Sequence, residues 1–262
     1  MKIKFVGALI LLSWAVLFTA CKKAENSQTN SNTSAAASKQ TASSQIALSL
    51  YQSLTGQSGG ININDGVKTP GIANSNSSTA KVNSSDYLCG FYVNNGINYN
   101  TNIGDSIKSV SHGALAFYFV CKNGSAVGFT AQDTLTTYGT APGYNFIDGL
   151  SQNLVVAGLN PNNSLVTVNG LLQSRVDIFY TKGGRSATYN SFQLSGLQVH
   201  LDQNPPDITS GTAVFTAKGF NNATIFDLYG TITFLGNHMV KVDFYDDIFY
   251  VNLLTGKVTT TI

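Results

Sequence analysis

Charged side chains are scarce in this chain. Only 11% of its 262 residues are Asp, Glu, Lys or Arg, and Glu25 is its single glutamate. Without Lys2 and Lys4, the basic residues fall from 15 to 13 and equal the 13 acidic ones. This balance leaves no basic stripe to hold nucleic acid, so we expect no nucleic-acid partner.

Common catalytic and metal-binding motifs are missing as well. The sequence has no HExxH motif, no Walker loop, no dinucleotide fingerprint and no CxxC pair. Ser125 stands second in the run Gly124–Gly128, so this run is not a nucleophile elbow. We therefore predict no cofactor, no metal site and a non-enzymatic protein.

The apolar run near the start is short. Lys2 and Lys4 precede Phe5–Val16, the arrangement typical of an export signal. The run is too short to span a bilayer as a stable helix.

The end of this signal is the sequence Leu-Phe-Thr-Ala-Cys at Leu17–Cys21, which resembles the lipobox of bacterial lipoproteins. The resemblance implies a signal peptide over residues 1–20 and acylation of Cys21 with diacylglycerol, usually with a further N-acyl chain. Several acyl chains give lasting attachment to membrane lipid. The alternative is an ordinary cleaved signal followed by a chance cysteine.

The residues after Cys21 bear on where the anchor lies. Lys22–Glu25 partly resembles the export tag of Bacteroidota surface lipoproteins, but it lacks the second acidic residue. The resemblance implies a lipid-anchored outer-membrane protein of the cell envelope, with the periplasmic and surface faces both open.

Two cysteines remain, Cys89 and Cys121. In an oxidising compartment they most simply form one disulfide. Each cysteine shares one face of a predicted strand with apolar residues two positions apart, so we expect both sulfur atoms to lie on an apolar side. The alternative is two buried free thiols.

Three segments precede the β-rich region. Residues 21–44 are predicted to be a disordered tether, because Lys22–Ser44 has no aromatic or large aliphatic residue. Residues 45–86 are predicted to hold one short helix and then an irregular Gly/Asn/Ser-rich segment. The helix is indicated by apolar spacing, with Ser43 or Ser44 as N-cap and Gly56 as stop. Its apolar positions are Ile46, Leu50, Tyr51 and Leu54.

The region 87–262 is predicted to be an antiparallel β domain. Apolar and aromatic residues alternate there with Thr, Asn, Ser and Gln. The predicted strands are Tyr87–Val93, Ala114–Cys121, Ala126–Ala131, Leu154–Leu159, Leu165–Thr181, Ala187–Leu201, Thr209–Ala217, Ile225–Leu235, Met239–Tyr245 and Ile248–Leu254. The predicted turns are Asn160–Asn163, Gly183-Gly184, Gly219–Asn222, Gly236-Asn237 and Asp246-Asp247, with a bulkier corner at Gln203–Asp207.

Short turns place consecutive strands side by side, which predicts a mainly β fold with an antiparallel meander of about ten strands. The missing crossover helices exclude a parallel α/β fold. We expect a strongly curved sheet or an up-and-down barrel, with a β-sandwich as the alternative, plus the one short N-terminal helix.

Few polar residues group in ways that suggest chemistry. His200 and Asp202 share a strand face, and a surface pair is the simpler interpretation of them. Asp246-Asp247 is read as a hairpin turn, with Asp243 close by. Arg175 and Asp177 are read as a surface charge pair of little energetic value.

The tyrosines suggest a binding site more strongly, because aromatic ring faces with amide groups nearby can bind sugars or apolar ligands. For any single tyrosine, packing in a β-rich core is the simpler role. Those in or beside strands are Tyr118, Tyr138, Tyr144, Tyr180, Tyr189, Tyr229, Tyr245 and Tyr250. The runs Asp105–Ile107 and Asp133–Leu135 resemble O-glycosylation sites of exported Bacteroidota proteins, which implies possible acceptors at Ser106 and Thr134.

Together these features predict a membrane-anchored envelope lipoprotein with a non-enzymatic β domain. Its partners are predicted to be membrane lipid through acylated Cys21 and a glycan or apolar small ligand. One alternative is a glycan-active hydrolase that uses two aspartates. Another is a structural or adhesive surface module, which would expose an apolar patch.

Overall fold

The computed structural model describes residues 31–56, 89, 92–103, 106–159, 164–203, 205–221 and 224–260. The predicted signal peptide, Cys21, the irregular segment 57–86 and the turn at 160–163 lie outside these residues.

The described chain forms one helix followed by one antiparallel sheet of 11 strands, each paired with its neighbours in sequence. The elements are α1 (Ser31–Leu54), β1 (Tyr92–Ile103), β2 (Ile107–Lys122), β3 (Ser125–Ala141), β4 (Tyr144–Ala157), β5 (Leu165–Tyr180), β6 (Arg185–His200), β7 (Asp207–Asn221), β8 (Thr224–Gly236), β9 (Met239–Phe244), β10 (Asp247–Asn252) and β11 (Val258–Thr259).

This architecture confirms the prediction of a mainly β antiparallel meander with one helix. Within the described strands, β1 and β11 form the two ends of the sheet and do not pair with each other, so the sheet is open. The curved-sheet form of the prediction is therefore correct, and the barrel and sandwich forms are wrong.

Alternation along the strands gives the sheet two different faces. The inner face carries the large buried side chains, among them Phe117, Phe129, Phe192, Phe215 and Phe244. The opposite side is here called the outer face. It carries mostly Thr, Ser, Asn, Gln and Tyr.

Helix α1 lies across the inner face. Its apolar positions Leu50 and Leu54 are fully buried and belong to the same apolar cluster as the inner-face phenylalanines. Near the middle of the helix, Ser44 Oγ donates to the Gly256 carbonyl (2.8 Å); near its C-terminal end, Gln152 Nε2 donates to the Ser53 carbonyl (3.0 Å). Since these partners lie beside β11 and on β4, the sheet curls around the helix.

The helix begins earlier than the sequence predicts. It starts at Ser31 rather than near Ser43 or Ser44, so residues 31–44 of the predicted tether are helical. Apolar spacing does not reveal the contacts of this part of the helix, where Ser43 is fully buried and Lys39 pairs with Asp247 at 2.6 Å. A helix can therefore pack closely here without large aliphatic residues. At the other end Gly56 has φ of 72° and follows the last turn, as predicted.

Several strands are longer than predicted. β3 and β4 are joined by a hairpin turn at Pro142-Gly143. The predicted strands cover only the start of β3 and the end of β4, and they miss the part of each strand next to this turn. Polar residues face inward there and break the alternation, as at Asp133 and Gln152, which are paired across the two strands and buried. β1 likewise extends to Ile103, and Gly219–Asn221 belongs to β7 rather than to a turn.

The predicted cysteine pair is brought together. Cys89 and Cys121 lie at disulfide-bonding distance, with their Cα atoms 5.8 Å apart. Cys121 is exposed, not buried on an apolar side, because it lies at the end of β2 beside the exposed turn Asn123-Gly124.

Candidate functional site

A groove of about 520 Å³ crosses the outer face from β3 to β7, and it is called the first groove below. Two adjacent rows of outward side chains line it. One row is Thr136, Gly149, Arg175, Tyr189 and Lys218, and the other is Thr134, Ser151, Gln173, Ser191 and Thr216. The lining thus combines hydroxyl and amide groups with one ring and two cations.

Gly149 creates the depression in the groove floor. It pairs with Thr136 on one side and Arg175 on the other. A Cβ added at Gly149 would meet only Arg175, at 3.8 Å from its Cβ and 4.0 Å from its carbonyl oxygen. The space above Gly149 is therefore open, and a side chain placed there would enter the groove.

Arg175 belongs to an ionic cluster beside the groove, in which only the central aspartate is buried. Asp177 accepts hydrogen bonds from Arg175 Nε and Arg185 Nη2, and its carboxylate is 0% exposed. Burial raises the pKa of Asp177, but the two guanidinium groups outweigh burial and hold this pKa below its ordinary range. The interpretation of Arg175 and Asp177 as a simple surface pair is therefore wrong.

Aromatic rings complete this cluster. The Arg175 Cζ atom lies 5.1 Å from the centre of the Tyr189 ring, and Arg185 Cζ lies 5.1 Å from Phe179 and 5.5 Å from Phe220. Such stacking restricts both guanidinium groups.

A second groove, of about 660 Å³, lies across β1 to β5 on the outer face. Its apolar side chains are Val110, Tyr138, Ile147 and Phe179. Asn100, Lys108 and Asn145 supply polar groups at its edge. This groove is more apolar than the first.

The tyrosines singled out in the sequence divide by location. Tyr189 lines the first groove and Tyr138 the second. Tyr144 and Tyr180 pack against a small apolar cluster. Tyr229 and Tyr245 contact each other, with ring centres 5.2 Å apart. Tyr118 is exposed elsewhere on the outer face, and Tyr250 is half-buried on β10.

His200 and Asp202 form a surface pair at the end of β6. Their Nδ1 and Oδ1 atoms are 3.6 Å apart, and the side chains are 34% and 60% exposed. This agrees with the simpler of the two interpretations.

The aspartates near the last strands also form ion pairs. Asp243 pairs with Lys241 at 2.9 Å, and Asp247 pairs with Lys39 of α1 at 2.6 Å. The hairpin turn is Tyr245-Asp246 rather than Asp246-Asp247, because Tyr245 takes the left-handed conformation and Asp247 begins β10. Among the described residues, no group of three or more His, Cys, Asp or Glu is placed to hold a metal ion.

Sequence reasoning missed a polar junction at His238. Tyr51 of α1 donates to the Pro206 carbonyl (2.9 Å), and its hydroxyl lies 3.5 Å from His238 Nδ1. Asp207 accepts the backbone N–H groups of Asn237 and His238, each at 2.8 Å. Burial, and then the charge of Asp207, raises the pKa of Tyr51 to about 12. The junction fastens the helix to the β8–β9 turn.

Asp148 is a second feature that the sequence did not reveal. It faces inward on β4 between the buried residues Phe146 and Leu150. Burial raises the pKa of its carboxyl to about 7, although the Gly149 N–H partly offsets this.

The two possible glycosylation acceptors lie in different settings. Ser106 is exposed in the turn between β1 and β2. Thr134 is exposed in the middle of β3, where it lines the first groove, while Asp133 beside it faces inward.

Within the described residues, no helix is both long and apolar enough to cross a membrane. Comparison with known proteins adds no relative: no family model, curated protein sequence or solved structure matches the chain.

Proposed function

We propose that this chain is a membrane-anchored envelope lipoprotein whose β domain binds saccharides in the first groove without turning them over. The anchor rests on the lipobox resemblance ending at Cys21. The observation that carries the binding role is the groove itself, which is open at Gly149 and lies beside the ring of Tyr189.

The chemistry of the lining suits a saccharide. Sugar hydroxyls both donate and accept hydrogen bonds, and Thr134, Ser151 and Gln173 offer both kinds of group. The apolar face of a sugar ring can stack on an aromatic ring such as Tyr189. The volume lies within the range of small-ligand sites, about 300–1,000 Å³.

The hydrolase alternative needs two aspartates that face each other across bound substrate. Asp177, Asp243 and Asp247 are each engaged with basic side chains. The first-groove lining that the structure describes includes no aspartate. Turnover of a bound glycan, abolished by changing one aspartate, would favour this alternative over binding alone.

The adhesive alternative has one observation in its favour. The second groove exposes Val110, Tyr138 and Phe179 side by side, with 37–52% of each residue accessible. Such a patch suits contact with another macromolecule.

Glycosylation remains a proposal for both acceptor residues. A glycan on Ser106 would extend from a turn, whereas one on Thr134 would occupy the first groove. The intact mass of the protein purified from its native host, compared with Ser106→Ala and Thr134→Ala, distinguishes the two sites.

A glycan array tests the binding role. We expect the purified domain to bind a defined set of saccharides and Tyr189→Ala to weaken this binding up to about tenfold, since a specific aromatic ring contact contributes about 0.5–1.5 kcal/mol. The matched control is Tyr118→Ala, an outer-face tyrosine of similar exposure that does not line the groove. No binding to any saccharide, or equal losses in both variants, would refute the proposal.

The anchor is tested separately in the native host. Wild-type protein should take up a palmitate analogue and sediment with membranes, and Cys21→Ala should do neither. A membrane-bound, unlabelled Cys21→Ala variant would contradict acylation at this position.

A further inference from the structure

We infer that the first groove selects acidic saccharides, which carry carboxylate or sulfate groups, and that Arg175 is their main contact. This inference rests on the proposed binding function and names the ligand class of the same site.

The Arg175 side chain is held by its neighbours in a conformation that can bind an anion. Its Nε donates to the buried Asp177, and its guanidinium stacks on Tyr189. The side chain is nevertheless 48% exposed. The hydrogen bond to Asp177 uses Nε, so the two Nη groups can serve an acceptor in the groove. A guanidinium held in this way forms paired hydrogen bonds to a carboxylate or sulfate at low entropic cost.

The charge of the cluster also favours an anion. Arg175 and Arg185 share the single carboxylate of Asp177, which leaves one net positive charge. Asp177 is fully buried beneath them, so the accessible part of the cluster is cationic.

Lys218 supplies a second cation in the same row. It pairs with Asp227 at 3.1 Å, but both side chains are 59% exposed. Exposed ion pairs of this kind contribute little to stability, so an anionic ligand can compete for Lys218.

The Tyr189 ring and the Arg175 guanidinium lie close enough to contact the same sugar residue of a ligand. Arg175 and Tyr189 occupy directly paired positions on β5 and β6. Because Arg175 covers one face of the Tyr189 ring, a sugar ring would stack on the opposite face, and its acidic substituent would reach Arg175 past the edge of the ring. Neutral sugars would gain the stacking and the hydroxyl contacts but not the paired ionic hydrogen bonds.

Matched ligands isolate the contribution of charge. The array should include an oligogalacturonate with its methyl ester and a sulfated oligosaccharide with its desulfated form. We expect the acidic member of at least one pair to bind about tenfold more tightly, equivalent to about 1.4 kcal/mol. Added salt should reduce this preference.

Variants then assign the preference to a side chain. Arg175→Gln should lower the acidic-to-neutral ratio to below about twofold, and Arg175→Lys should restore part of it, since lysine keeps the charge but not the planar fork. Lys257→Gln is the control, because it removes one exposed positive charge beside β11, far along the sheet from the groove. Circular dichroism verifies that each variant is folded.

The outcomes separate the two proposals. Neutral members that bind as tightly as their acidic partners would overturn the acidic preference and leave saccharide binding in place. A preference that survives Arg175→Gln would overturn the assignment to Arg175. Absence of binding across the array would overturn the proposed function and this inference together.

Discussion

The two faces of the sheet use the same strands for different tasks. On β7, Phe215 points inward and is 1% exposed, whereas its neighbour Val214 points outward and is 57% exposed. The inner face is apolar and wraps around α1, and the outer face is polar and carries both grooves. Alternation therefore lets one face stabilise the fold while the other presents side chains to solvent.

The largest expected effect lies on the inner face. Phe215→Ala should lower the free energy of unfolding by about 3–5 kcal/mol, because it removes a buried ring and leaves a cavity. Val214→Ala, the adjacent residue on the same strand, should change it by less than about 0.5 kcal/mol. Urea denaturation measures both, and similar losses would contradict the division between the faces.

Two aspartates, the half-buried Asp148 on the inner face and the buried Asp177 on the outer face, should respond to pH in opposite directions. On the inner face, Asp148→Asn should stabilise the protein by about 2–4 kcal/mol above pH 7, since it removes a carboxylate whose ionised form is disfavoured by burial. The raised pKa means that wild type loses stability as pH rises from about 4 to about 7. The stability gained in Asp148→Asn should vanish near pH 4. A gain that does not depend on pH would contradict the claim that ionisation of Asp148 destabilises the fold.

On the outer side of the sheet, Asp177→Asn should instead destabilise the protein, by about 1–3 kcal/mol at neutral pH, because the carboxylate accepts two charged hydrogen bonds. The lowered pKa of Asp177 means that its contribution is present above about pH 4 and is lost as pH falls through the pKa of the folded state. Thermal melts of both proteins across this range measure the difference. If Asp177→Asn were as stable as wild type at pH 7, the ionic cluster would contribute nothing to the stability of the fold.

The sequence predicts those parts of the fold in which apolar residues recur at regular spacing or turn residues cluster. The spacing predicts that Leu50 and Leu54 of the helix are buried, and the turn residues predict the turns at Gly183-Gly184 and near Gly236. The prediction fails where polar residues face inward, as at Asp133 and Gln152, because such positions carry no apolar signal.

The first groove was not predicted because it is formed by neighbours across strands rather than along one strand. Arg175, Tyr189 and Lys218 meet only once the register of β5, β6 and β7 is known. Gly149 left no sequence signal of its own, since a depression exists only relative to the side chains around it. Tyrosine and amide content led us to expect a sugar or apolar ligand, which stays a prediction, but it did not indicate where such a ligand would bind.

The measurement that tests the central claim most directly is saccharide binding after the groove is filled at Gly149. A Cβ at Gly149 makes only ordinary contacts, at 3.8 Å and beyond, and the rest of the side chain in Gly149→Leu should extend into the groove, so the fold should remain intact. Asn153→Leu is the control, because Asn153 is exposed on the same face of β4 but does not line the groove.

By calorimetry with the best saccharide from the array, Gly149→Leu should weaken binding at least about tenfold, or about 1.4 kcal/mol, while Asn153→Leu should bind as wild type does. A folded Gly149→Leu protein that binds with wild-type affinity would contradict the claim that the first groove is the binding site.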